Sequence, residues 1–115
     1  MRVTSDLWVS ALVRRVFGAG GFAAVVNRGA AEAGAVFLIT RNRLGEMALY
    51  GPAPQTSYDS AKPGDRFFSL LAACDDAGVL DARLEREKKF DPDIWVVEIE
   101  AGNVPLEELI FVETP

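Results

Sequence analysis

The sequence predicts an α+β fold: an antiparallel sheet of four to five strands, two main helices packed on it and a short C-terminal helix. Three observations predict it. Residues 7–17 and 75–90 carry helical periodicity. Four or five runs between and after them carry the period-two or continuous apolar patterns of strands. Gly and Pro punctuate the junctions. At 115 residues the expectation is a single domain spanning 1–115.

In residues 7–17, Trp8, Leu12 and Val16 recur every four positions, as do Val9, Val13 and Phe17. Ser5 or Asp6 is placed to cap the start, Arg14 and Arg15 suit the last turns, and Gly18, Gly20 and Gly21 follow. Val and Trp also suit a strand, which is the alternative here. Residues 22–28 read as a strand. Residues 35–41 are apolar on both alternating faces up to Thr40, the mark of a central strand. Gly29 to Gly34 joins these two runs and suggests that they pair antiparallel. Residues 46–50 alternate, and the turn Asn42-Arg43-Leu44-Gly45 makes 35–50 the clearest hairpin.

Residues 51–65 read as a surface loop broken by Gly51, Pro52, Pro54, Pro63 and Gly64. Residues 66–72 suit a strand or a helix start, with Phe67-Phe68 favouring the strand. In residues 75–90, Asp75 or Asp76 can cap, Lys88 and Lys89 sit late, and the apolar stripe of Ala77, Leu80 and Leu84 is thin. Residues 94–100 alternate Trp95, Val97 and Ile99 on one face against a second face that turns polar at Glu98 and Glu100. Residues 105–109 read as the closing helix.

Composition narrows the function classes. The net charge is −5, so the basic footprint of a nucleic-acid binder is missing from the total. The first 60 residues carry six Arg against four acids; the rest carry six Lys or Arg against thirteen acids. There is one cysteine, Cys74, which suits a reducing, cytoplasmic setting. The apolar run Leu7 to Val13 is followed by Arg14-Arg15 rather than preceded by positive charge, unlike a secretion signal. Uncharged stretches fall short of the ~20 residues of a membrane span.

With no His, Cys74 and the Ser and Thr hydroxyls lack the usual catalytic base, and no Ser-x-x-Lys motif occurs. No catalytic centre is therefore legible, which leans away from an enzyme, and no cofactor is expected. Two candidate constellations remain. Asp91, Asp93, Glu98 and Glu100 offer oxygen ligands to a hard divalent cation, although Asp91-Pro92-Asp93 also reads as a helix stop and turn. Arg14, Arg15, Arg28 and Arg41 lie at element ends, where they could form an interaction rim or an anion site. Tyr50 and Tyr58 flank or sit in the Pro-rich loop as anchors for a partner. Trp8, Trp95, Phe67, Phe68 and Phe90 are expected in the core.

The stretches Asp6 to Arg15, Gly20-Gly21-Phe22-Ala23, Gly29 to Gly34, Leu49 to Pro54 and Phe90-Asp91-Pro92-Asp93-Ile94-Trp95-Val96-Val97-Glu98 are also distinctive together. In these the chain resembles the family of small bacterial proteins called domain of unknown function 1491, over about residues 3 to 100. The resemblance implies a cytoplasmic bacterial protein made of one standalone domain, and it transfers no catalytic residue. The leading expectation is a non-enzymatic interaction module that forms a homodimer or docks a protein partner; the alternative is a small-molecule or divalent-metal binding protein using the acidic 91–100 cluster or an arginine-lined anion site.

Overall fold

The computed structural model describes residues 3–53, 66–74 and 76–112. Helix α1 spans Ser5–Gly18 and is followed by strands β1 (Phe22–Asn27), β2 (Val36–Arg41), β3 (Met47–Pro52) and β4 (Phe67–Cys74). Helix α2 (Ala77–Phe90), β5 (Trp95–Glu100), a 3-10 turn (Leu106–Glu108) and the two-residue β6 (Phe111–Val112) complete the order. The class is α+β, as the sequence predicts. The strands form one sheet in the order β1-β5-β2-β3-β4-β6. Most of its pairings are antiparallel, but β2 with β5 and β4 with β6 run parallel.

The expected pairing of 22–28 with 35–41 does not form. Strand β5 is inserted between them, antiparallel to β1 and parallel to β2. The physical reason lies at the mouth of β5. The Asp93 carbonyl accepts from Ala30 N–H at 3.0 Å, and Trp95 N–H donates to Ala35 C=O at 2.7 Å. The Trp95 indole N–H donates to Ala30 C=O at 2.8 Å, and the Asn27 amide donates to Ile94 C=O at 2.9 Å. The 29–34 segment thus wraps around the start of β5 instead of closing a hairpin. A Cβ at Gly29 or Gly34 would run into the Asp93 carbonyl, so side chains are excluded there. The β2–β3 hairpin forms as expected, with Gly45 at φ +83°, a conformation that L side chains rarely adopt.

The two helices lie on opposite faces. Val9, Leu12 and Val16 of α1 pack with Val36, Leu38, Phe68, Trp95, Val97 and Ile99. Leu80 and Leu84 of α2 pack with Phe37, Ile39, Met47, Leu49 and Val96. Strands β2 and β5 are therefore buried on both faces. Each such side chain taken from water contributes roughly 1.5–3 kcal/mol.

Several element ends differ from expectation. Thr4, not Ser5 or Asp6, caps α1, its hydroxyl accepting from Leu7 N–H. Ser5 is fully buried, and its hydroxyl donates to Gly34 C=O at 2.6 Å. Asp76 caps α2. β3 runs on to Pro52, residues 66–72 are strand as favoured, and the closing helix is a single 3-10 turn followed by β6. Phe90 is 90% exposed, not core. It lies about 100° round the helix from the Leu80–Leu84 stripe, so it points sideways, off the sheet-facing stripe. The body of the 51–65 loop, residues 54–65, lies outside the described residues.

Replacing Ser5 with Ala would leave the buried Gly34 carbonyl without its donor. The expected loss is about 1–3 kcal/mol of unfolding free energy. Urea denaturation followed by circular dichroism checks this, and an unchanged midpoint would contradict the role given to Ser5.

Candidate functional site: the outer edge of β1 and the flank of α1

β1 ends the sheet on one side among the described residues. Its sequence, Phe-Ala-Ala-Val-Val-Asn, has no charge and no proline. Edge strands usually carry such residues to block pairing with another chain. The one irregularity is a register shift between Val25 and Asn27. Phe22, Val25 and Val26 are 47%, 38% and 58% exposed. Phe17 of α1 is exposed beside them, its ring 5.7 Å from that of Phe22 and edge-on to it.

The backbone directions of β1 follow from the ladder. Trp95 N–H points to β2, so the odd residues of β5 face β2 and the even ones face β1. The register pairs Glu98 with Ala24 and Glu100 with Phe22. Ala24 and Phe22 therefore spend their backbone groups on β5, while Ala23 and Val25 present theirs outward.

Between α1 and this edge lies a cleft of about 440 Å³, bordered by Val13, Arg14, Phe17, Val25, Arg28 and Trp95. Arg28 stacks over the Trp95 ring at 5.2 Å and faces Asp6 at 3.5 Å. Arg14 lines the same cleft with no ion pair among the described residues.

A second cavity, of about 650 Å³, lies across the sheet. Its floor is one transverse row, Ile99–Thr40–Ala48–Ala73, in ladder register across four strands. The short side chains of Thr40, Ala48 and Ala73 leave the hollow, and Leu106 and Arg41 border it. The next row, Val97–Leu38–Tyr50–Leu70, is filled by large side chains. Tyr50 is half-buried, and its pKa is raised above the ordinary 10.0 first by burial and then by the nearby Glu107 carboxylate.

The structure brings some of the expected residues together and separates others. Arg14 and Arg28 share the α1–β1 cleft. Arg15 points the other way, donating to Leu109 C=O at 3.2 Å. Arg41, at the far end of β2, faces Glu98 at 3.7 Å and Met47 Sδ at 3.9 Å. Tyr58 lies outside the described residues. The four carboxylates are not gathered: Asp93 and Glu100 stand at opposite ends of β5, roughly 20 Å apart along an extended strand. Asp91 accepts from Asp93 N–H at 3.0 Å, a local turn bond. Among the described residues no group of three or more His, Cys, Asp or Glu lies close enough to hold a metal ion. Sequence reasoning missed Phe17, Phe22, Val25 and Val26 as surface. The only signal was the uncharged run 22–27, which reads equally well as a buried strand.

The architecture is that of a small α+β protein with a mixed sheet between two helices. The chain belongs to the family described as protein of unknown function (DUF1491), whose pattern matches residues 3–105. It is similar to the solved protein Atu0922 from A. tumefaciens, with 47% identity over 100% of this chain and 98% of that one, at a TM-score of 0.82. It is also similar to a DUF1491 family protein from Caulobacter crescentus CB15. The crystal structure shares 35% identity over 99% of this chain and 100% of that one, at a TM-score of 0.77. An NMR structure of a protein of this family from the same organism shares 38% identity over 99% of each chain, at a TM-score of 0.76. The search of curated proteins gave no match. These findings fix the family and indicate no specific activity. Among the described residues no helix is long and apolar enough to cross a membrane.

Because the native state holds the Tyr50 proton more tightly than the unfolded chain, stability from this group is fully present below pH 10 and is lost as pH rises through the raised folded value. Tyr50→Phe should therefore lose less stability than the parent protein between pH 9 and pH 11, to within the range probed (about two pH units). Thermal midpoints across that range check this; parallel curves for the two proteins would contradict it.

Proposed function

We propose that this chain is a non-enzymatic interaction module, a single cytoplasmic domain of residues 1–115 that works by docking a protein partner on the outer edge of β1. The observation that carries the reading is the unguarded edge: an uncharged strand with Phe22, Val25 and Val26 exposed, outward backbone groups at Ala23 and Val25, and a cleft beside it. Outward N–H and C=O groups supply affinity by strand addition, and the apolar side chains and Arg14 supply selectivity. The single cysteine suits a reducing compartment. The arginines contribute less as a free cationic rim, since Arg28 and Arg41 already face Asp6 and Glu98 of their own chain.

A photo-crosslinking amino acid at Val25 is expected to give a covalent adduct on illumination of cells that make the protein. The same probe at Arg86, exposed on α2, serves as the control. Equal yields at the two positions would contradict the reading.

A second reading, a small-molecule site, rests on the floor of short side chains at Thr40, Ala48 and Ala73. A flat, largely apolar ligand fits a hollow of that kind. A ligand at a hundred times its Kd would add about 2.7 kcal/mol of stability. That gain should vanish in Ala48→Phe, which fills the floor. A thermal-shift screen of planar aromatic compounds decides it, and the absence of any shift removes this reading.

A further inference from the structure

We propose that the partner is a second copy of this chain, added antiparallel at β1 in one register, with Ala23 opposite Val25 and Ala24 opposite Ala24 across a two-fold axis. This rests on the reading of the β1 edge as a docking surface and names its occupant.

The register follows from the backbone. Ala23 and Val25 are the residues whose N–H and C=O groups point outward, as derived from the ladder to β5. Pairing Ala23 of each copy with Val25 of the other forms two hydrogen-bonded pairs, about four bonds in all. Any register that places Val25 opposite Val25 forms half as many, because Asn27 is turned inward by its pairing with Val96. The chosen register is isologous, as a two-fold dimer requires.

The side chains agree with it. The axis passes through Ala24, at a non-hydrogen-bonded pair where Cα atoms approach to about 4.5 Å, and a methyl group fits there. Phe22 comes opposite Val26 of the second copy, so two exposed apolar residues cover each other. Helix α1 packs on both β1 and β5, so its axis lies inward of the edge. Adding a strand spacing of ~4.8 Å puts the two α1 helices about 10 Å apart, within the range at which helices pack. The facing flank is Ser10, Val13, Arg14 and Phe17. Phe17, Phe22, Val25 and Val26 together expose roughly 350 Å² per copy, somewhat under half of the ~800 Å² per partner of a standard interface, and the outward backbone, Ser10 and Arg14 add to it. No residue of β1 is charged, so the contact needs no ion pair between copies.

The experiment is light scattering of the purified full chain, with cysteine crosslinking in a Cys74→Ala background. A dimer is expected whose mass does not fall at high salt, because apolar contacts are not screened while the repulsion between the two facing Arg14 side chains is. Ala24→Cys should form a disulfide-linked dimer readily, since Cα atoms about 4.5 Å apart can be bridged. Val26→Cys should not, because its two copies stand some four residues out of register. Val26→Lys, at a solvent-facing position, should keep the far-UV spectrum and raise the dimer dissociation constant at least about tenfold. A monomer at millimolar concentration overturns the inference, and so does a dimer in which Val26→Cys crosslinks as fast as Ala24→Cys. A monomer that still gives a Val25 adduct to a different protein in cells overturns the second copy while leaving the docking edge intact. Loss of both the dimer and the adduct removes the docking edge as well.

Discussion

The carbonyls of Asp93 and Ile94, at the mouth of β5, hold the contact on which the arrangement of the sheet depends. They accept from Ala30 N–H and from the Asn27 side chain, and the Trp95 indole returns a bond to Ala30. A buried peptide group without its partner costs about 1–3 kcal/mol, so these bonds are obligatory once Trp95 is enclosed. Only glycine at 29 and 34 lets the wrapping segment come that close. The same segment then receives α1: Ser5 and Asp6 donate their N–H groups to Glu32 and Ala31, and the Ser5 hydroxyl reaches Gly34. One junction thus sets where β5 enters and where α1 begins.

The consequence for function is topological. With β5 lodged between β1 and β2, β1 is displaced to the edge of the sheet. An apolar strand that would suit an interior position is left, among the described residues, with one side unpaired. The cleft under α1 belongs to the same event, because α1 spans β1 and β5 and leaves Phe17 and Val25 at its margin. The Asp91-Pro92-Asp93 turn serves the junction. Asp91 fixes the turn by accepting from Asp93 N–H, and that turn aims the Asp93 carbonyl at Ala30.

Much of the local structure was legible in the sequence, because it depends on neighbours within a few positions. The four-residue spacing of Trp8, Leu12 and Val16 marks α1, the Asn42 to Gly45 turn marks the β2–β3 hairpin, and Leu80 with Leu84 marks α2. Strand order was not legible. The short Gly29 to Gly34 link looks like a hairpin turn, and what defeats that reading is a set of bonds to residues some 65 positions away. The site was hidden for the same reason. Phe-Ala-Ala-Val-Val-Asn and Val-Phe-Leu-Ile-Thr-Arg are similar runs, and only the insertion of β5 makes the first an edge and the second a centre. Arg14 and Arg28 were found from their charge and position, but their shared cleft was not, because it depends on how α1 lies over β1.

The most direct measurement is amide hydrogen exchange by NMR on the native chain at low and at high concentration. The ladder holds Ala24 N–H against β5, so it should be protected at both concentrations. The Ala23 and Val25 amides point outward, so they should exchange fast when dilute and become protected together as concentration rises. If both remain fast at high concentration while Ala24 stays protected, β1 is an edge that no second copy covers, and the central claim fails.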